Sequence, residues 1–317
     1  MITVRRSRVV LVGSTGFVGS AVAAALAQTS EVVPVSAPRL TSGARTVDEV
    51  RQAAAAQHAV RADLSRQFAG ADVVVNAAGD PDASSRDHDV LFGANALLPA
   101  VLMAAATDAG VARFVHVSSA VVQNDRPLLD ASEGMDAFSP YSASKVVGER
   151  ALRAARTPGC TVVRYRPPSV HAQGRRVTTM IARIASSPAA TVARPGHQPT
   201  PQALLPNVAS AVAFLATTEQ VPPAVVHHPS EGVTVTALMT DLSGGRSPRR
   251  LPRTLARTVV AAAKLVGRVH RPTAANARRL ELLWLGQAQA PSWLTEAGWS
   301  APVGREGWRA LGSGEVR

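Results

Sequence analysis

Residues 8–27, RVVLVGSTGFVGSAVAAALA, narrow the folds open to this chain more than any other stretch. Val9 to Val12 is a β-branched apolar run, as expected of a strand covered on both faces in a parallel sheet. Gly13 permits a tight turn, Gly16 lets the backbone approach a ligand, and Gly19 allows the next helix to pack closely on the strand. Backbone N–H groups and the positive helix end then face an anion. Arg5, Arg6 and Arg8 ahead of an apolar run ending in small residues also have the layout of an export signal. The glycines at three-residue spacing break up the helix-forming core that a signal needs, so the expectation is a strand, a phosphate loop and a helix.

The rest of the chain supplies the context. Its 317 residues, 46% hydrophobic, suffice for a large α/β domain with a smaller lobe. No run of eighteen apolar residues occurs, so no membrane span is expected. Cys160 stands alone, which excludes an internal disulfide and suits a reducing cytoplasm. The histidines show no metal-site spacing, and no metal is expected. The net charge of +12 is concentrated: ten positive residues and no acid lie between Arg246 and Arg279. There Arg253, Arg257, Lys264 and Arg268 line one side of a helix whose other side carries Leu255, Val259, Val260 and Leu265. A solvated basic face is the expectation, with phosphate or membrane-surface contact as the alternative. The lack of interleaved aromatic residues argues against nucleic acid.

Along residues 1–166, strands and helices alternate at the pace of βαβ units. The strands are the first run, EVVPV, HAVRADL ending at Asp63, ADVVVNAAG ending at Gly79, RFVHVSSA and TVVRYR. Ser139 and Pro140 form a cap and first position for the helix that begins with Tyr141. This alternation predicts a doubly wound parallel sheet with a crevice at the carboxyl ends of its strands. Residues 167–317 lose the rhythm and are expected to form mainly a smaller C-terminal substrate-binding lobe, returning some elements to the sheet. All four tryptophans fall within Trp284–Trp308 and are expected to pack that lobe.

Two tyrosines and two lysines occur in the whole chain, and one of each sits four residues apart in YSASK, on one helix face. An ammonium one turn from a phenol favours the phenolate, and a nicotinamide cation adds to the effect. Tyr141 is thus a candidate acid/base for a carbonyl–alcohol interconversion, with Ser119 at a strand end as hydrogen-bond donor to the same oxygen.

In order and spacing, GSTGFVG, ADL, NAAG, VHVSSA, YSASK and RPPSVHAQG resemble the extended short-chain dehydrogenase/reductases, the NAD(P)-dependent epimerase/dehydratase family with its Rossmann-type sheet. The resemblance covers roughly residues 8–215. It implies that Gly13, Thr15, Gly16, Phe17, Val18 and Gly19 form the pyrophosphate loop and that Asp63 and Leu64 flank the adenine. It places Ala77, Ala78 and Gly79 along the cofactor, Asn95 near the site, and Pro168, Ser169 and Val170 beside the nicotinamide. Ser119, Tyr141 and Lys145 match the catalytic triad, Lys145 also holding the nicotinamide ribose. Asp80, Ser119, Tyr141, Ser169, His171 and Arg176 are the expected substrate contacts. Homodimerisation follows by resemblance, through helices beginning near Asn95 and Tyr141 with small or apolar residues such as Ala104, Ala105 and Val147.

Departures from the family pattern refine the expectation. After the second strand the chain reads SAPR, with no acid for ribose hydroxyls and with Arg39 placed for a 2′-phosphate, which favours NADP over NAD. Ala120 and Val121 follow Ser119 where dehydratases carry acids, which disfavours dehydration. Thr200 stands where an arginine commonly holds a substrate diphosphate, with Arg175, Arg176 and Arg194 nearby. The expected function is an NADPH-dependent ketoreductase for a keto-sugar nucleotide or another small hydroxylated metabolite. An epimerase with retained NAD is the alternative, and a non-catalytic dinucleotide sensor is the alternative of another class.

Overall fold

The computed structural model describes residues 6–82, 85–123, 126–155, 159–269 and 271–313, the side chains of 268–275 excepted. Its centre is a six-stranded, wholly parallel sheet. The chain runs through β1 (Arg8–Val12), α1 (Phe17–Leu26), β2 (Glu31–Val35), α2 (Val47–Ala55), α3 (His58–Phe68) and β3 (Val73–Asn76). It continues through α4 (His88–Phe92), a π-helical turn (Gly93–Leu97), α5 (Leu98–Asp108), β4 (Arg113–Val117), the short β5 (Leu128–Leu129), α6 (Pro140–Ala154) and β6 (Thr161–Arg166). After β7 (Ser169–His171), α7 (Arg176–Ser186), β8 (Thr191–Ala193), β9 (Gln202–Leu204) and α8 (Leu205–Thr217), β10 (Val225–His227) returns to the sheet. The sheet order is β2-β1-β3-β4-β6-β10, so the winding reverses between β1 and β3 and opens a crevice at their carboxyl ends.

Strand periodicity splits the apolar residues between two faces. Val10, Val12, Val74 and Phe114 pack against helices α2, α3, α5 and α6, while Val9, Leu11, Val73, Val75, Val115 and Val117 pack against α1 and α8. A third cluster joins α7, β8 and α9 (Val235–Leu242) with Trp308 of the C-terminal helix Arg305–Ser313. Trp308 thus packs this third cluster, whereas Trp293 and Trp299 pack on the central sheet cluster. Beyond α9 lie β11 (Arg249–Leu251), which pairs with β8, and the two long helices α10 (Arg253–Val269) and α11 (Arg271–Leu285), packed on each other. The Arg268 side chain, expected on the basic face of α10, lies outside the described residues.

One expected strand is absent. Residues 58–68 form α3, because Val60, Leu64 and Phe68 recur every fourth residue and turn one apolar stripe onto the core. Arg61 clamps Asp108 of α5 with two hydrogen bonds of 2.5 Å, which suits a helix lying on α5. A capping box between Thr46 and Glu49 starts α2 just ahead of it.

The same segment changes the expected pairing surface. Backbone atoms of Leu40 and Thr41 pass so close to Gly93 that an added Cβ there would sit 1.9 Å from the Leu40 carbonyl oxygen. Helix α2 then packs on α5 and α6, and α3 on α5, within one chain. Ala105 is fully buried and Val147 belongs to the resulting cluster, so the helices expected to meet a symmetry mate are already covered. Substitutions on α5 are therefore expected to leave the sedimentation-equilibrium mass unchanged; a dimer that such substitutions dissolve would contradict this assignment. The run His88–Asp108 is long and apolar enough to cross a membrane, but 78% of it is buried in this core.

Candidate active site

The crevice is built from glycine contacts first. Gly13, at φ +86°, lies against the end of β3, where an added Cβ would meet Ala78 N at 2.8 Å. At Gly19 a Cβ would lie 1.9 Å from the Gly13 carbonyl oxygen, so only glycine lets α1 start this close to the loop. The first turn of α1 carries neither a side-chain cap nor an acid, leaving its N–H groups for an anion. Gly19→Ala is expected to displace the loop, weaken dinucleotide binding and cost about 1–3 kcal/mol of stability, readable by ligand titration and denaturant unfolding.

Opposite this loop, β3 runs into Ala77, Ala78 and Gly79. A Cβ on Gly79 would fall 2.8 Å from Asn95 Oδ1 and 3.0 Å from Lys145 Nζ, so the absent side chain is what lets these two groups approach. Asn95 sits in the π-helical turn, an element that recurs at functional sites. Its Nδ2 donates to the Asp80 carbonyl (3.0 Å) and Ser144 Oγ (3.1 Å), and its Oδ1 accepts from the Asp80 N–H (3.1 Å). Asn95 is fully buried and ties the loop after β3 to helix α6.

Tyr141 and Lys145 lie one turn apart at the start of α6, which Ser139 caps and Pro140 opens. Ser139 Oγ accepts from the Ser142 N–H at 3.1 Å while Ser142 Oγ accepts from the Ser139 N–H at 2.9 Å. Ser119 follows β4 and accepts from the Val121 N–H at 3.2 Å. These side chains face a cavity of about 400 Å³. Phe17, Val18, Ala77, Ala78, Gly79, Pro168, Ser169 and Val170 also line it, as do Asp80 and Ser119 among the expected substrate contacts.

Electrostatics differ from the simple expectation for this pair. Burial pushes the Tyr141 phenol up to about 12, and Asp80 adds to the rise; the hydrogen bond with Ser119 and the Arg175 charge act the other way. Burial also brings the Lys145 ammonium down to about 8, against the pull of Glu149 and Asp80. In the cavity without a nicotinamide cation, desolvation therefore outweighs any help from Lys145, and Tyr141 holds its proton.

Several expected residues stand elsewhere. Asp63 is exposed on α3 and pairs with Arg66 and Gln67, and Leu64 points into the core, because the strand that was to carry them is a helix. His171 is fully buried behind the cavity wall. Its Nε2 donates to Gln202 Oε1 (2.7 Å), its Nδ1 accepts from the Thr178 hydroxyl (3.0 Å), and its ring packs on Trp308. Burial lowers its pKa to about 4, so it stays neutral and props Gln202, which does line the cavity. Arg176 opens α7 away from the wall, whereas its neighbour Arg175 lines the cavity and stacks 4.2 Å over the Phe17 ring. Thr200 is buried and accepts from Gln202 Nε2 at 3.0 Å, outside the wall. Arg39 is exposed four residues beyond β2, and no acid ends that strand.

Sequence reasoning missed the far wall: Phe138, Val177, Met180 and Ile181, with Arg278, Leu282 and Leu283 of α11. The apolar spacing of Val177, Met180 and Ile181 was the available signal, since only part of that stripe can be core.

A sequence profile described as the NAD dependent epimerase/dehydratase family matches residues 9–226. The 4-hydroxy-2-methyl-3-oxo-4-farnesyl-3,4-dihydroquinoline-1-oxide ketoreductase of Stigmatella aurantiaca is 38% identical over 112 residues, 34% of this chain. That match spans 33% of the Stigmatella protein's length. Human epimerase family protein SDR39U1 (isoform 2), solved with NADPH, has a TM-score of 0.65 at 21% identity, covering 96% of this chain and 99% of that one. MoeE5 in complex with UDP-glucose and NAD has a TM-score of 0.61 at 20% identity, covering 97% of this chain and 98% of the other. These structural likenesses are likenesses of fold.

Proposed function

The chain belongs to the NAD-dependent epimerase/dehydratase family, and from that premise we propose that it is an NADPH-dependent ketoreductase acting on an apolar ketone. The observation that carries the reading is the convergence of Tyr141, Ser119 and Lys145 on the wall of one largely apolar cavity. Phe138, Leu129, Val177, Met180, Ile181 and Leu282 surround the space where a substrate would lie. Such a wall suits a ring or polyketide-like ketone better than the sugar nucleotide expected from the family, and the Stigmatella protein is itself named a ketoreductase of a farnesylated ring ketone.

The glycine cradle fits a nicotinamide dinucleotide, which supplies the hydride when bound. Gly13, Gly16 and Gly19 receive its pyrophosphate, and Lys145 beside Gly79 and Asn95 holds the ribose. Arg39 receives the 2′-phosphate that distinguishes NADPH. Ser119 orients the carbonyl oxygen, and Tyr141 gives that oxygen its proton as carbon accepts the hydride. Arg175, stacked on Phe17 at the cavity wall, takes an acidic or polarised group of the substrate. The half-buried, unpaired Cys160 suits a reducing cytoplasm.

The second reading, an epimerase with retained NAD, draws on Arg175 as the one wall arginine on the α7 side able to meet a diphosphate. Mass spectrometry of the purified protein for bound dinucleotide, followed by NADPH-oxidation assays on apolar ring ketones and keto-sugar nucleotides, separates the two. Turnover of ring ketones with NADPH supports the ketoreductase. Retained NAD with no ketone turned over would sink it.

A further inference from the structure

Away from Tyr141 and Ser119, the cavity wall carries a second polar spot. Ser169 of β7 and Gln202 of β9 are register partners in a two-stranded parallel sheet, and both line the cavity. Their chain neighbours Val170 and Pro201, which share the wall, are apolar.

A row of buried groups behind the wall fixes both side chains. His171 stands two residues along β7 from Ser169, on the same sheet face, and its Nδ1 accepts from the Thr178 hydroxyl at 3.0 Å. Its Nε2–H donates to Gln202 Oε1 at 2.7 Å and lies 3.2 Å from Ser169 Oγ. Gln202 Nε2 donates in turn to Thr200 Oγ1 at 3.0 Å. His171, Thr178, Thr200 and Gln202 are all buried. Burial keeps the His171 ring neutral, so the row holds its pattern across the neutral pH range.

This pattern leaves two donors uncommitted. A glutamine amide carries two N–H groups, and Thr200 takes one. The Ser169 hydroxyl meets the His171 Nε2–H as an acceptor and keeps its own proton. Among the described residues, no acceptor takes that proton or the second Gln202 N–H. Donors left unmet in a dry site cost stability, so a pair of them on a cavity wall calls for an acceptor from a ligand.

We propose that Gln202 and Ser169 read a second oxygen of the substrate, which makes the substrate a ring ketone that also carries a hydroxyl or carbonyl group. The reacting carbonyl stands at Tyr141 and Ser119, and the second oxygen accepts from the Gln202 N–H and the Ser169 hydroxyl. His171 acts through Gln202 as a positioning residue, fixing which way the amide faces. The inference rests on the ketoreductase reading for the reacting carbonyl and narrows that reading to oxygenated ketones. A site built to hydrogen-bond a substrate group discriminates strongly against the analogue that lacks it.

Equilibrium binding to the full chain loaded with NADP tests it, with 1-tetralone and its 3-hydroxy and 4-hydroxy derivatives as probes. Tryptophan fluorescence is the readout, since the Trp308 ring packs on His171. At least one hydroxylated derivative is expected to bind about tenfold or more tightly than 1-tetralone. Gln202→Leu is expected to bring that ratio close to one, and Ser169→Ala, at a half-buried position, to lower it by about threefold. His171→Phe keeps a ring against Trp308 but removes the donor, and it too is expected to lower the ratio; a purely structural role would weaken all three probes alike. Equal affinity for the three probes, or a ratio that survives both Gln202→Leu and His171→Phe, overturns the proposal. So does a Gln202→Leu variant whose NADPH affinity falls while the ratio stands, which gives the donors to the dinucleotide. NADPH oxidation is scored apart: a binding preference without turnover removes the ketoreductase reading and keeps the second-oxygen site, whereas turnover without preference does the reverse.

Discussion

Tyr141→Phe is expected to lower ketone reduction by about 10³-fold while dinucleotide affinity stays nearly unchanged, because the substitution removes one proton donor and little else. Burial pushes the Tyr141 phenol up to about 12, so at neutral pH it is already in the form a reduction consumes. Lys145, lowered to about 8, is the group that titrates in the working range. It keeps its proton below that value and loses it as pH rises, so the reduction rate is expected to fall through about pH 8. The unfolded chain binds that proton up to the ordinary value of 10.5, so the same shift makes folding stability rise with pH between about 8 and 10.5. Steady-state rates across pH, with dinucleotide titrations on the same preparations, check both halves. A Phe variant with ordinary turnover, or a profile that climbs through pH 8, would remove Tyr141 from the reaction as written.

The parts of the site legible in the sequence are those where local chemistry alone dictates geometry. Gly13, Gly16 and Gly19 announce a turn and a close helix approach whatever surrounds them, and the Gly13–Ala78 contact follows from them. Ser139 and Pro140 mark the start of α6, which in turn fixes the register of Tyr141 and Lys145. Residues 58–68 were harder, because a seven-residue window shows a strand-like mixture while the four-residue spacing that makes α3 emerges only when Phe68 is included. His171 and Arg176 were misjudged for another reason: a loop's side chains take their direction from distant partners. Gln202 and Trp308 capture His171, and a single residue's difference at the start of α7 decides that Arg175 faces the cavity. The far wall belongs to α7 and α11, separated by about a hundred residues of chain that carry no shared pattern, and only packing brings them together.

Glu149→Gln is expected to be the most damaging single change away from the cavity surface, through an ion network that lies one turn beyond Lys145. Glu149 and Arg166 side chains are both fully buried. Arg166 Nη2 donates to Glu149 Oε2 at 2.6 Å and its Nε to Oε1 at 3.0 Å, while Ser118 Oγ donates to Oε1 at 2.5 Å. Arg164 lies 3.8 Å from the same carboxylate and is itself forked onto Glu133. An amide of the same shape keeps the volume but leaves the Arg166 cation without its counter-charge in a dry site, a loss of about 3–5 kcal/mol. Denaturant unfolding measures that cost. A second effect follows from the Coulombic support that Glu149 gives Lys145: without it the ammonium falls further, and the alkaline limb of the rate profile moves to lower pH. Asp80→Asn separates the two consequences. Asp80 also supports the Lys145 charge but is only half-buried and, among the described residues, has no cation bound to its carboxylate in a dry site, so its amide is expected to move the limb in the same direction with less change in stability. If Glu149→Gln unfolds more easily yet leaves the limb where it was, the network acts as scaffold alone. If both variants move the limb, the buried carboxylate and the rim carboxylate together set the pH range in which Lys145 keeps its charge.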